Sequence, residues 1–117
     1  MILNGFKVCR VRDASYYSTK MMSNTHPLGL YPRPDTVKYV MGEWVYPKNG
    51  FDELSVFTSY DYAKLFTWNM TDTVILSCEY EPVSWWRHLR LILGRYKGSP
   101  QGKVFAKRVK VLQEVGT

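Results

Sequence analysis

Apolar and polar positions alternate most regularly between Val74 and Glu81. Val74, Leu76, Cys78 and Tyr80 fall on one side and Ile75, Ser77, Glu79 and Glu81 on the other, the two-residue period of a β-strand. Pro82 ends the run because it cannot donate to a ladder. Upstream, Leu54-Ser55-Val56-Phe57 is a short apolar run that reads as a buried strand. Between the two the period lengthens: Tyr62, Ala63 and Phe66 form one stripe on a helix. Thr58 is placed to cap that helix, with Asp61 three residues on completing a capping-box pattern. Asn69 to Asp72 carry the turn-forming residues that stop it. The stretch Leu54–Val83 therefore predicts strand, helix, strand, and the rest of the chain is arranged around it.

Before it, Phe6–Arg12 alternates as a strand, with Phe6, Val8 and Arg10 on one side and Lys7, Cys9 and Val11 on the other. Asp13-Ala14-Ser15 reads as a tight turn and Tyr16–Thr19 as its return strand. Residues 21–35 hold three prolines and no periodicity, and predict a long loop of the kind that often carries function. Thr36–Val45 regains strand character, with a bulge expected at Gly42, and Tyr46–Gly50 is turn chemistry. After Pro82, Ser84–Tyr96 predicts a helix capped by Ser84. Trp85, Leu89 and Ile92, broadened by Leu93, form its apolar face, with Arg87, His88, Arg90 and Arg95 largely off it. Gly94 frays or ends it. Lys97–Gly102 is a loop, and Val104–Val111 a last strand whose alternation slips at Lys107-Arg108, predicting a bulge that turns both cations outward. The order β-β-β-β-α-β-α-β predicts one α+β domain over residues 1–117. Its expected core is a mainly antiparallel, curled sheet of about six strands with two short helices.

At 117 residues with 45% hydrophobic positions, the chain can fill one core without disulfides or metal. Nine Tyr and four Trp exceed what such a core needs, so some aromatics are expected to face a ligand or partner. No apolar run reaches the roughly 18 residues of a spanning helix, and MILNGFKVCR lacks a signal-peptide layout. A cytoplasmic protein without membrane contact is the expectation, with Cys9 and Cys78 as a reduced pair. Charge changes the picture more. Residues 1–81 carry eight Lys/Arg against nine Asp/Glu, whereas residues 82–117 carry eight Lys/Arg and only Glu114. The basic third, residues 84–112, points to a polyanionic partner.

Little enzyme chemistry is legible. His26 and His88 each lack a second His or a Cys at ligand spacing, so no metal site is expected. Cys78 reads as a small buried hydrophobe rather than a nucleophile served by His88. No GxSxG, GxGxxG or Walker-type loop is present. Arg10 or Arg12, then Thr58-Ser59, then Glu79-x-Glu81 resemble the Arg, Ser, Glu-x-Glu order of ADP-ribosyltransferases. That resemblance implies an Arg on the NAD phosphates, a Ser ordering the site, and Glu81 polarising the ribose. Here Thr58-Ser59 is also accounted for by a helix cap, and the two glutamates by the solvent face of a strand. The basic segment is the stronger signal. Arg87, Arg90, Arg95, Lys97, Lys103, Lys107, Arg108 and Lys110 are interleaved with Trp85, Trp86, Tyr96 and Phe105. Cations neutralise phosphates and flat aromatics stack bases, although no known nucleic-acid module is matched.

Phe6-Lys7-Val8 with Tyr17-Ser18, Gly42-Glu43-Trp44 with Pro47, Val56-Phe57-Thr58-Ser59 with Ala63 and Phe66, Cys78-Glu79-Tyr80-Glu81, and Gly102-Lys103-Val104 leading to Val109-Lys110-Val111-Leu112 together resemble a family of small proteins from phages, prophages and environmental bacteria. That family has no assigned activity. The resemblance implies an accessory protein carried by a mobile element, one that works by binding: blocking a host enzyme or sequestering a nucleotide used in antiviral defence. The expected function is thus a non-catalytic binding protein without cofactors. Arg87, Arg90, Lys107 and Arg108 would contact the phosphates of a nucleotide or nucleic acid, and Trp86 or Tyr96 would stack. A protein-binding inhibitor anchored by Trp44, Tyr46 and Trp86 is the second expectation, and an ADP-ribosyltransferase-like enzyme the third. A homo-oligomer with sites between subunits is compatible with each.

Overall fold

The computed structural model describes residues 1–18, 37–47, 54–68, 70–94 and 102–116. Among these residues seven strands and two helices follow in order: β1 (Leu3–Arg12), β2 (Ser15–Ser18), β3 (Lys38–Tyr39), β4 (Trp44–Val45), β5 (Leu54–Phe57), α1 (Tyr60–Phe66), β6 (Thr73–Pro82), α2 (Trp85–Leu93) and β7 (Lys103–Gly116). The fold is α+β with an antiparallel sheet, as the pattern predicts. The predicted loop at 21–35 lies outside the described residues.

The sheet closes on itself. β6 pairs with β1 along one edge and with β7 along the other. The free edges of β1 and β7 then meet again through β5. At one end β5 pairs with β7 over four residues and touches β1 at Phe6↔Phe57. At the other end β2 pairs with β1, β3 with β2, and β4 with β7. From Phe6 the ladder reaches Gln113 of β7 by way of Ser77, and Lys103 by way of Phe57. That ten-residue stagger measures the tilt of the strands, and a cylinder this narrow is filled by side chains.

Three register jumps against β6 leave Val115, Leu112 and Lys107 of β7 unopposed. Each bulge bends the strand, which lets one 14-residue element wrap past β4, β5 and β6. The bulge predicted at Lys107-Arg108 is one of the three. The single strand expected over Thr36–Val45 is instead two short strands. Gly42, at φ +78°, turns the chain between them, so that Lys38-Tyr39 joins β2 and Trp44-Val45 joins β7. This break accounts for seven strands where about six were expected.

Alternation sorts the core into two layers. Cys9, Val56, Val74, Leu76, Cys78, Tyr80, Ala106, Val109 and Val111 point into the barrel. Val8, Phe57 and Ile75 point out and are covered by Ala63 and the flanking Tyr60, Tyr62 and Phe66 of α1. Phe57 meets Phe66 at 5.2 Å between ring centres and Phe6 meets Tyr60 edge-on at 5.9 Å. The N-cap of α1 is Ser59, whose hydroxyl accepts from the Tyr62 amide at 3.3 Å. Thr58 is displaced one residue from the capping role expected of it.

Lys7 is the unusual member of the interior. It is 5% exposed, donates from Nζ to the Ser55 carbonyl at 2.7 Å and lies 5.2 Å from the centre of the Tyr39 ring. β1 and β5 share one bridge and then diverge, so the ammonium spans the gap that the ladder leaves. The β1–β2 hairpin turns at Asp13 and Ala14, with φ of +50° and +62°, the left-handed pair of a two-residue turn. Gly5 permits a second close approach: a Cβ there would stand 2.9 Å from both the Phe57 carbonyl oxygen and the Tyr80 ring.

Candidate functional site

The outward positions of β6 and β7 build a charged face. Register sets Glu79 opposite Lys110 and Glu81 opposite Arg108. The Lys110 Nζ stands 3.1 Å from Glu79 Oε1, and the Arg108 Nε donates to Glu81 Oε1 at 3.0 Å. The bulge at Lys107 adds a third cation, its Nζ 3.8 Å from Glu81 Oε2. The two cations expected to stand free on this strand are therefore held by one carboxylate.

β4 completes the face. Trp44 pairs with Lys110 in the ladder, and the Arg108 guanidinium lies 4.1 Å from the centre of its ring, with the Lys110 ammonium at 5.1 Å. Arg108 is thus stacked on an aromatic face and gripped at its edge. Partial desolvation works against its charge, but hydrogen bonds to Tyr46 and Glu81 outweigh it and raise the pKa above its ordinary value. A guanidinium fixed in this way has little rotamer freedom left to lose on meeting an anion.

α2 stands at the start of β7. The Val83 amide donates to the Phe105 carbonyl at 3.2 Å, and His88 rests 5.8 Å from the Phe105 ring. Ser84 caps the helix by accepting from the Arg87 amide at 3.3 Å. Gly94 ends it earlier than the expected Tyr96; Arg95, Tyr96 and Lys97 lie outside the described residues, as does His26. None of its nine residues is buried. His88, Leu89, Leu91 and Ile92 are half-buried, while Trp86, Arg87, Arg90 and Leu93 are exposed on the rest of the helix, as is Trp85 in its first turn. Trp85 is 64%, Trp86 70% and Leu93 71% exposed, so Trp85 does not serve the core as its place on the apolar stripe implies. The two indoles meet edge to face at 4.9 Å; Arg90, four residues on from Trp86, is exposed on the arc of that indole, and Arg87 is exposed at the flank of the helix.

Of the six ligand residues expected from sequence, Arg87, Arg90 and Trp86 stand together on α2 and Lys107 and Arg108 together on β7. Trp44 was legible as an exposed aromatic, but its role under Arg108 was not, because it depends on which strand β4 joins. The trio Arg10, Ser59 and Glu81 does not converge. Arg10 is opposite Thr73, eight positions along β6 from Glu81, roughly 27 Å at strand rise. It is bound there to Asp72 at 2.9 Å, with Arg12 on the same carboxylate at 3.1 Å. Ser59 is occupied as a cap.

Cys9 and Cys78 are both free and buried. Burial pushes each thiol up to about 12, against a smaller opposing pull from the Lys7 charge, so neither is poised as a nucleophile. Among the described residues no cluster of three or more His, Cys, Asp or Glu is placed to hold a metal, and no helix is long and apolar enough to cross a membrane. Compared with protein-family models, curated proteins and solved structures, the chain matches none.

Proposed function

We propose that this chain is a non-catalytic binding protein that holds a phosphate-bearing ligand, a nucleotide or nucleic acid, across α2 and the neighbouring face of β7. One observation carries the reading: an exposed indole pair, Trp85 and Trp86, on a helix that buries none of its residues and also exposes Arg90, one turn on from Trp86, and Arg87. Exposed indoles offer stacking platforms and the guanidiniums beside them offer phosphate contacts. The charge-assisted cluster of Lys107, Arg108 and Lys110 lies further along β7, the strand on whose start α2 rests. The resemblance to small phage and prophage proteins supplies a setting, an accessory factor in a host cytoplasm that sequesters such a ligand.

The test is fluorescence anisotropy of a labelled single-stranded oligonucleotide. Trp86→Ala should weaken binding by about 1–3 kcal/mol, the value of one stacked base, and Arg90→Glu by a comparable amount. Both side chains are exposed, so thermal unfolding should barely move. Unchanged affinity in both variants would remove α2 from the site.

A second reading has its own observation. Leu93 is exposed on the same helix, two turns on from Trp86, and has nothing to offer a phosphate or a base, whereas an apolar anchor on a protein partner would use it. High salt separates the two, since phosphate contacts weaken steeply with ionic strength and an aromatic anchor much less.

A further inference from the structure

We propose that Glu79 and Glu81 are built-in counterions that make this face select a chain of phosphates over a single nucleotide. The inference rests on the phosphate-binding reading and names the class of ligand within it.

The register of β6 against β7 is what brings acid to base. Glu79 and Glu81 project outward on the same strand and meet Lys110 and Arg108 directly across the ladder, while the bulge adds Lys107 to Glu81. Three cations of β7 are thus engaged by two carboxylates before any ligand arrives. All five side chains are partly exposed, and ion pairs of that kind are worth no more than about 1 kcal/mol each. They are displaceable, but displacement is not free. A mononucleotide brings its charge to one point and must break a pair to gain one contact in return. A chain of phosphates replaces both carboxylates at once, and after the first contact the others form at high effective concentration. Arg108 and Lys110 lie two positions apart on β7, roughly 7 Å, so consecutive phosphates of an extended strand can each find a cation. Trp44 keeps Arg108 in place throughout, so the guanidinium does not collapse when its carboxylate partner is exchanged. In this arrangement the glutamates set a threshold that valence overcomes.

The experiment compares the wild-type chain with Glu79→Gln/Glu81→Gln, using a labelled oligothymidylate as probe and AMP as competitor over a range of salt. Removing both carboxylates removes two negative charges that a phosphate chain must otherwise displace, and at about 0.7 per unit charge on a single strand the slope of log K against log salt should steepen by about 1.4. Oligothymidylate affinity at low salt should rise about tenfold or more, and AMP should compete better with the variant than with the wild type. Thermal unfolding of both proteins shows that the fold is retained. If the wild type binds the oligonucleotide but the variant has the same slope and affinity, the counterion role is wrong and the binding site stands. If AMP displaces the oligonucleotide from the wild type as readily, phosphate for phosphate, as another oligonucleotide does, the selection for a chain is wrong. If neither protein binds either ligand, the phosphate-binding reading and this inference fall together.

Discussion

The two thiols inside the barrel make alkaline stability a direct probe of how dry that interior is. Cys9 and Cys78 are 0% and 1% exposed, and burial lifts each from 9.0 to about 12. The native state therefore holds protons that the unfolded chain releases. Stability is complete below pH 9.0, the unfolded value, and is lost as pH rises toward the folded value. At about pH 10.5 an unfolded thiol of that pKa has gained about 2 kcal/mol from ionisation while the buried one has gained almost none. The pair together costs the fold about 4 kcal/mol, close to the whole stability of a marginal domain. The buried Tyr39 phenol, held well above 10.0 by desolvation, adds to the loss at the upper end. Urea unfolding followed by circular dichroism at a series of pH values should give a stability that falls by about 2.5 kcal/mol per pH unit near pH 10. Cys9→Ala should halve that slope. The slope is the readout rather than the stability itself, since the variant also leaves a small cavity. A flat profile between pH 9 and 11 would refute the reasoning, because it would mean that the thiols titrate in the native barrel.

Two further substitutions test the backbone of the fold. Ala14→Gly places the Asp-Gly sequence favoured by a two-residue hairpin at a position with φ +62°, and relief of left-handed strain should raise stability by about 1 kcal/mol despite glycine's greater unfolded-state entropy. Gly5→Ala drives a methyl to within 2.9 Å of the Phe57 carbonyl, and since that atom is backbone the variant should lose about 2 kcal/mol or more by urea unfolding.

What the sequence reveals and hides follows from the range of each interaction. The facing of β6, the stripe of α1, the cap of α2 and the bulge at Lys107 are local, set by alternation, helical spacing or a single broken period. Each is readable without knowing the fold. Closure is not local: it depends on β5 bridging β1 and β7, and on Gly42 sending one extended stretch to two different partners. The same limit governs the candidate site. Arg87, Arg90, Trp86, Lys107 and Arg108 stand out by composition. Their partners Glu79, Glu81 and Trp44 come from strands whose register no local pattern specifies, so the half-neutralised state of the face is invisible until the ladder is known. Alternation sets Lys7 on one side of β1 with Cys9 and Val11, but that this side faces the interior shows only once β5 is seen to part from β1.

β7 is the last of the seven strands to be synthesised, yet it pairs with β4, β5 and β6. β1, the first, finds its principal partner some seventy residues downstream, where Phe6 meets Ser77. At ribosomal rates of roughly 5–20 residues per second, β1 waits several seconds before its long edge can be covered, and the cylinder cannot shut until β7 has emerged as well. During that interval the nascent chain presents unpaired, apolar strand edges with no native way to bury them. Closure of the cylinder is therefore a late event, and a holdase that shields those edges until β7 arrives should govern the yield more than final stability does.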